Sequence, residues 1–287
     1  MRLVSFLKDG EARQGLVEGE GIIDLTARLG PERASLRRLL ANGSEVRALI
    51  GRGLVDLSLQ GLAHVAPVAP DAKVICVGLN YAAHKAETIR DPADRPMLFA
   101  RWPETLIGHE APLLMPRVSE MLDYEGELLA VIGAETGRYL PAEQAMDKVW
   151  GYACMNEGSV RDWQRHSSQV TAGKNFVGTG AVGPWLTSAD EVPDIGSAEL
   201  RLTLNGETMQ STTIADMIWS VAETIAYVTQ WIPLHPGDVI ATGTPAGVGS
   251  RRTPPVFLRE GDVVEVSVTG LGTLRNRVER EPKTGVR

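Results

Sequence analysis

The sequence predicts an α+β protein rich in strands, and three observations carry that prediction. Apolar runs of strand length recur between residues 73 and 268, helical periodicity is confined to a few interposed segments, and the two do not alternate strictly. Strict alternation would imply a doubly wound parallel sheet. Without it, a mixed sheet with helices packed against it is preferred.

Each element follows from local pattern. Residues 1–69 combine short apolar runs with charged helical stretches such as 31–40, for which Asn42-Gly43 is a plausible stop. They read as a small N-terminal α+β domain. Two prolines within 66–71 introduce the run Lys73-Val-Ile-Cys-Val-Gly78, which has the character of a buried strand, so the boundary is placed near residue 70 and a larger domain spans 70–287. Inside it, residues 127–133, 198–204 and 262–268 read as strands, the last two with one wet face. Helices are expected at 142–149, opened by Pro141, and at 213–231, where Ile214, Met217, Ile218, Val221, Ile225 and Val228 recur with helical spacing.

Composition excludes several classes of function. The 287 residues are 43% hydrophobic and 23% charged, enough to bury a core and far from the signature of disorder. Thirty-six acidic against 29 basic side chains leave a formal charge of −7 with no basic stripe, which argues against nucleic acid as a partner. Cys76 and Cys154 are the two cysteines, and they form no CxxC pair. Neither a disulfide framework nor a thiolate zinc site is suggested, and a reducing cytoplasm fits best. The first apolar run is too short for a signal-peptide core and no later run approaches a membrane span, so neither targeting nor a membrane anchor is expected.

The chemistry begins at Asp123-Tyr-Glu-Gly-Glu-Leu128, the leading end of a predicted strand. Side chains two apart on a strand share a face, so Glu125 and Glu127 point the same way and call for a cation. A bare acidic pair is more often a solvated strand end, and the pair alone does not decide. A third carboxylate, Glu157, ends an apolar run at 149–157 and precedes Ser159, a plausible cap for a helix over 161–166. It could complete one face of an octahedral Mg²⁺ site, or serve as an ordinary acid in a first helical turn.

Further candidates surround these three. His84 and Glu87 lie three apart on an expected helix and could work as base and orienter, although such pairs are usually surface contacts. Lys174 stands in a glycine-rich, apolar neighbourhood where its charge could face a carboxylate or a developing enolate; a surface lysine is the default. The run from Gly237 to Gly249 reads as a strand feeding a glycine-rich loop whose amides and Thr244 hydroxyl suit an anionic group, or as a plain tight turn. Gly178-Thr-Gly180-Ala-Val-Gly183 matches GxGxxG but is followed by Pro184 and Trp185 where a dinucleotide fold needs a helix. His109-Glu110 lacks a zincin's second histidine, and no GxSxG elbow or Walker A run occurs.

Taken together, residues 78–87, 123–128 and 151–164, Lys174 and residues 242–249 resemble the fumarylacetoacetate hydrolase family in order and spacing, over about residues 70–280. The resemblance implies a mixed β-roll flanked by helices, usually dimeric, with one Mg²⁺ or Mn²⁺ held by Glu125, Glu127 and Glu157. Glu157 stands where the family normally has aspartate. The resemblance further implies that His84 and Glu87 activate water, that Lys174 stabilises an enolate, that Gln164 and Thr244 touch substrate, and that Arg101 faces a substrate carboxylate. The activity it implies is hydrolysis of a C–C bond in a 2,4-dioxo acid of the acylpyruvate type, releasing pyruvate or a related 2-oxo acid. Decarboxylation or enol–keto isomerisation of a 2-oxo acid is the alternative, and a catalytically inactive binding protein is a third.

Overall fold

The computed structural model describes residues 1–82 and 94–283. Its strands form a twelve-stranded mixed sheet, a five-stranded sheet and a two-stranded ladder, with short helices against them. This is the sheet-rich α+β architecture expected from the sequence. At the centre of the large sheet, Gly126–Ile132 lies between Val149–Glu157 and Val239–Ala241, antiparallel to both.

Central strands of this kind are buried on both faces, which explains why they read as near-continuous apolar runs rather than alternating ones. Leu128, Ala130 and Ile132 enter one core with Leu200, Leu202, Val264, Val266 and Leu274 from the five-stranded sheet. Leu129 and Val131, on the opposite face, enter a second core. The predicted wet-faced strands appear as Glu199–Leu204 and Val263–Val268, and every second residue of each is buried.

The second core also contains Leu3, Leu16, Ile23, Leu36, Leu39, Leu40 and Val46, so the first 69 residues share apolar contacts with Val74, Val182 and Val239. Arg2–Lys8 continues the same hydrogen-bonded sheet by pairing antiparallel with Gly180–Ser188. That strand begins at Gly180, the second glycine of the GxGxxG-like run, and feeds no helix, as Pro184 and Trp185 had indicated.

Helices are shorter than periodicity implied, for local reasons. The stretch expected as one helix over 213–231 divides into a 3-10 turn at Ile214–Asp216 and an α-helix at Val221–Thr229 capped by Ser220. Between them the amides of Ile218 and Trp219 donate to the backbone and side-chain oxygens of Asn80, and Met217 bridges Tyr81, so tertiary partners take the bonds a continuous helix would use. Residues 142–149 shorten to Ala142–Ala145 and a 3-10 turn, because Val149 is claimed by the neighbouring strand. The helix expected at 31–40 starts only at Leu36 and stops at Asn42 as read, but a further helix, Gly43–Arg47, follows at once. Among the described residues no helix is long and apolar enough to cross a membrane.

His64 meets His109 edge to face, with ring centroids 5.0 Å apart, where the N-terminal segment packs on the loop before Leu113–Met115. His64 Nδ1 is buried without a hydrogen-bond partner, and His109 Nδ1 accepts from the Arg275 amide. Burial, then the neighbouring His109, push the His64 pKa down to about 4, with Glu110 opposing. The unfolded chain therefore binds more protons than the folded one between about pH 6.5 and about pH 4, and stability should fall as pH drops through that window. His64→Gln is expected to flatten this part of the stability profile, measured by denaturant unfolding at successive pH values. An unchanged profile would remove His64 as its source.

Candidate metal centre

The site is built on two neighbouring strands. Glu125 immediately precedes Gly126–Ile132, Glu127 is its second residue, and Glu157 closes Val149–Glu157. Antiparallel pairing brings the Glu157 amide to the Glu125 carbonyl at 2.8 Å, while the Glu125 amide donates to Asn156 Oδ1 at 3.0 Å. Strand alternation and strand register thus deliver three carboxylates to one place. Each offers an oxygen within 4.8 Å of the others, and all three are buried, Glu157 completely.

Such crowding requires compensation. Lys174 Nζ lies 2.5 Å from Glu125 Oε2 and also contacts Glu157 Oε2. Arg101 Nη1 donates to Glu157 Oε1 at 2.6 Å. Arg161 bonds Glu125 Oε1 through Nη2 and Asp123 Oδ2 through Nε, the latter at 2.8 Å. Among the described residues, four carboxylates therefore meet three cations. Glu127 is the acid without one: its Oε2 accepts only the Gly243 amide, at 2.8 Å. Burial, reinforced by Glu157 and Glu125, pushes the Glu127 carboxyl well above the usual range. Burial alone would lower the Lys174 ammonium, yet Glu125 and Glu157 outweigh it and hold the group above the ordinary lysine value, so it stays protonated.

The predicted residues distribute unevenly around this centre. Lys174, Gln164 and Thr244 line one cavity of about 450 Å³ together with the three glutamates. Thr244 Oγ1 donates to the Gly126 carbonyl and accepts from Gln210 Nε2, so it braces the strand that carries Glu127. Arg101 does not face the cavity as expected. Its guanidinium is buried and spent on Glu157, the Gly158 carbonyl, Thr105 and Thr179, and it acts by holding Glu157. Ser159 is not a helix cap, for its hydroxyl donates to Glu125 Oε2 at 3.2 Å and Val160 precedes the short helix Arg161–Gln164. The loop amides expected to cradle an anion serve internal acids, Gly243 on Glu127 and both Gly249 and Ser250 on Asp123. His84 and Glu87 lie outside the described residues.

Asp123 and Arg161 escaped the sequence reading although a signal existed. Asp123, Glu125 and Glu127 form a period-two series, so a strand that presents the last two also tends to present the first.

Comparison with known proteins places this geometry. Residues 73–279 match the fumarylacetoacetate hydrolase C-terminal family. The chain belongs to this family. It is 36% identical to a mitochondrial oxaloacetate tautomerase of Bos taurus over 97% of this chain and 91% of that relative. Among solved structures, a fumarylacetoacetate hydrolase from Exiguobacterium antarcticum superposes with a TM-score of 0.85 at 35% identity, covering 98% of this chain and 99% of that one. The maleylpyruvate hydrolase of Sphingobium sp. SYK-6, in complex with manganese(II) and pyruvate, superposes with a TM-score of 0.80 at 29% identity, covering 98% and 99%. The bovine relative is mitochondrial by name, so likeness lends no support to the cytoplasmic compartment expected from the cysteines.

A divalent cation suits the donor set. Three buried carboxylates supply only hard oxygen ligands, the set that Mg²⁺ and Mn²⁺ accept, and the charge that no described cationic side chain contacts is the one Glu127 would carry when ionised. Glu127→Gln keeps the shape and removes that charge. In EDTA the variant should unfold at or above the wild-type midpoint. Wild type should gain about 2.7 kcal/mol from Mg²⁺ or Mn²⁺ at a hundredfold excess over Kd, and the variant little or none. Calorimetric or fluorescence melting checks this, and an equal gain in both proteins would exclude Glu127 as a ligand.

Proposed function

We propose that this enzyme hydrolyses a C–C bond in a 2,4-dioxo acid, with Glu125, Glu127 and Glu157 holding Mg²⁺ or Mn²⁺. One observation carries the reading: in a single cavity three carboxylates meet a buried ammonium that still has a donor to spend. Lys174 has three N–H bonds, and Glu125 and Glu157 occupy two. Among the described residues the third has no acceptor, so it can meet a substrate oxygen beside the acids, where negative charge would otherwise be repelled. A cation held by Glu125, Glu127 and Glu157 would act as a Lewis acid toward the 2-oxo acid end and draw off negative charge as an enolate develops.

The residues of the chain divide the remaining work. Water adds its oxygen to the distal carbonyl carbon after His84, oriented by Glu87, takes its proton. The C3–C4 bond then breaks, its electron pair stays on C3 as the pyruvate enolate, and the distal fragment leaves as a carboxylate. Lys174 holds the enolate oxygen until His84 returns its proton to C3, and the proton of the new carboxylic acid passes to solvent. Arg101 and Arg161 keep Glu157 and Glu125 in place throughout, and Thr244 braces the strand beneath. The maleylpyruvate hydrolase with manganese and pyruvate supports this reading.

A second reading, enol–keto tautomerisation of a 2-oxo acid, is favoured by the bovine oxaloacetate tautomerase. It uses the same enolate and needs no attack by water. Pyruvate release from a panel of acylpyruvates, with Mg²⁺ and with EDTA, separates the two. Release only with metal is expected, and His84→Ala should lower it by roughly 10²–10⁴-fold while leaving the metal-dependent gain in melting temperature intact. Tautomerisation of enol-oxaloacetate without pyruvate from any dioxo acid would establish the second reading, and full activity of His84→Ala would remove that residue from the mechanism.

A further inference from the structure

Asp123 is a fully buried acid that the proposed reaction leaves without a task. Among the described residues it stands outside the three glutamates whose oxygens converge, and it does not line the cavity. N–H groups close on both of its oxygens. Oδ1 accepts the amides of Tyr124 at 2.9 Å and Gly249 at 2.8 Å, and Oδ2 accepts the Ser250 amide at 2.9 Å and Arg161 Nε at 2.8 Å. Such surroundings suit an ionised carboxylate, which only accepts. The backbone is shaped to allow them: a Cβ on Gly249 would run into the Val256 carbonyl oxygen and stand 2.7 Å from Asp123 Oδ1, so glycine alone lets this amide approach.

What Asp123 holds is the cation beside a candidate metal ligand. Arg161 Nη2 contacts Glu125 Oε1 while its Nε stays on Asp123, so one guanidinium is shared between two acids. Had Glu125 the guanidinium to itself, the two would form a closed ion pair, and a fixed cation would oppose any metal ion brought to the same oxygens. Asp123 gives this arginine a second negative charge to answer. Glu125 then retains charge for a cation and keeps Nη2 as a brace, while its other oxygen is held by Lys174 and the Ser159 hydroxyl. With every acid ionised, the four carboxylates and three cations described above leave one negative charge in excess, and without Asp123 they would leave none.

We propose that Asp123 is a positioning residue of the metal centre, serving as the counter-ion of Arg161 so that this arginine does not cancel Glu125. The proposal rests on the reading of Glu125, Glu127 and Glu157 as a cation site. Outer partners of metal ligands typically change metal affinity by roughly 10–100-fold. An acid that served only to pin the turn Gly249–Arg251 would behave differently, because removing Arg161 would not repair its loss.

Calorimetric titration of the full chain with Mn²⁺, after EDTA treatment and dialysis, tests this. Asp123→Asn should bind Mn²⁺ roughly 10–100-fold more weakly than wild type, since Arg161 is left facing Glu125 alone. Arg161→Gln should bind at least as tightly as wild type. The double variant Asp123→Asn, Arg161→Gln restores the balance of charge and should recover affinity to within roughly threefold of wild type. Wild-type affinity in Asp123→Asn, or a double variant as weak as that single one, would overturn the proposal. Arg161→Gln leaves the amide bonds to Asp123 in place and decides even where the Asp123 variants do not fold: weaker Mn²⁺ binding by it would show that Arg161 is no competing charge, and would overturn the proposal too. Wild type that takes up no Mn²⁺ would instead overturn the metal reading beneath it.

Discussion

Mutual repulsion among Glu125, Glu127 and Glu157 is the constraint around which the centre is arranged. Their oxygens lie within 4.8 Å of one another and away from water. In such surroundings like charges are tolerated only where cations or protons answer them. Three separate elements supply the answer: Arg101 from the strand Met97–Arg101, Arg161 from the helix after Glu157, and Lys174 from the short helix Thr171–Lys174.

The strands can hold this arrangement because they have little room to relax. Gly126–Ile132 is buried along its whole length, with one face in each of two cores, and is hydrogen-bonded on both edges. A glutamate that tried to swing away would have to displace close-packed side chains or break ladder bonds. Thr244 and Gln210 add polar braces to the same strand end, through the Gly126 carbonyl and the Gly126 amide. The rigidity of the sheet therefore converts an electrostatic liability into a preorganised cation site.

Glu157 is gripped from both sides. Arg101 takes one carboxylate oxygen and Lys174 the other, so the side chain is held at both oxygens. The same division of charge orders the cavity vertically. Acids lie at the floor, an ammonium stands beside them, and arginines occupy the walls.

The sequence by itself determined the α+β class, the central strands and the shared face of Glu125 and Glu127, since each follows from periodicity or from residues close along the chain, and its motifs in combination resembled the family that the comparison shows. It misread the helices around Ile218 and Val149, where Asn80 and a neighbouring strand compete for the backbone. Only the tertiary structure decided the duties of the charged residues. Arg101, expected to meet substrate, is enclosed against Glu157, whereas Arg161 and Asp123, passed over, complete the charge network. Spacing reports which side chains share a face, but a charged group's role depends on which opposite charge the fold brings to it. Here those partners come from strands and helices 17 to 56 residues distant.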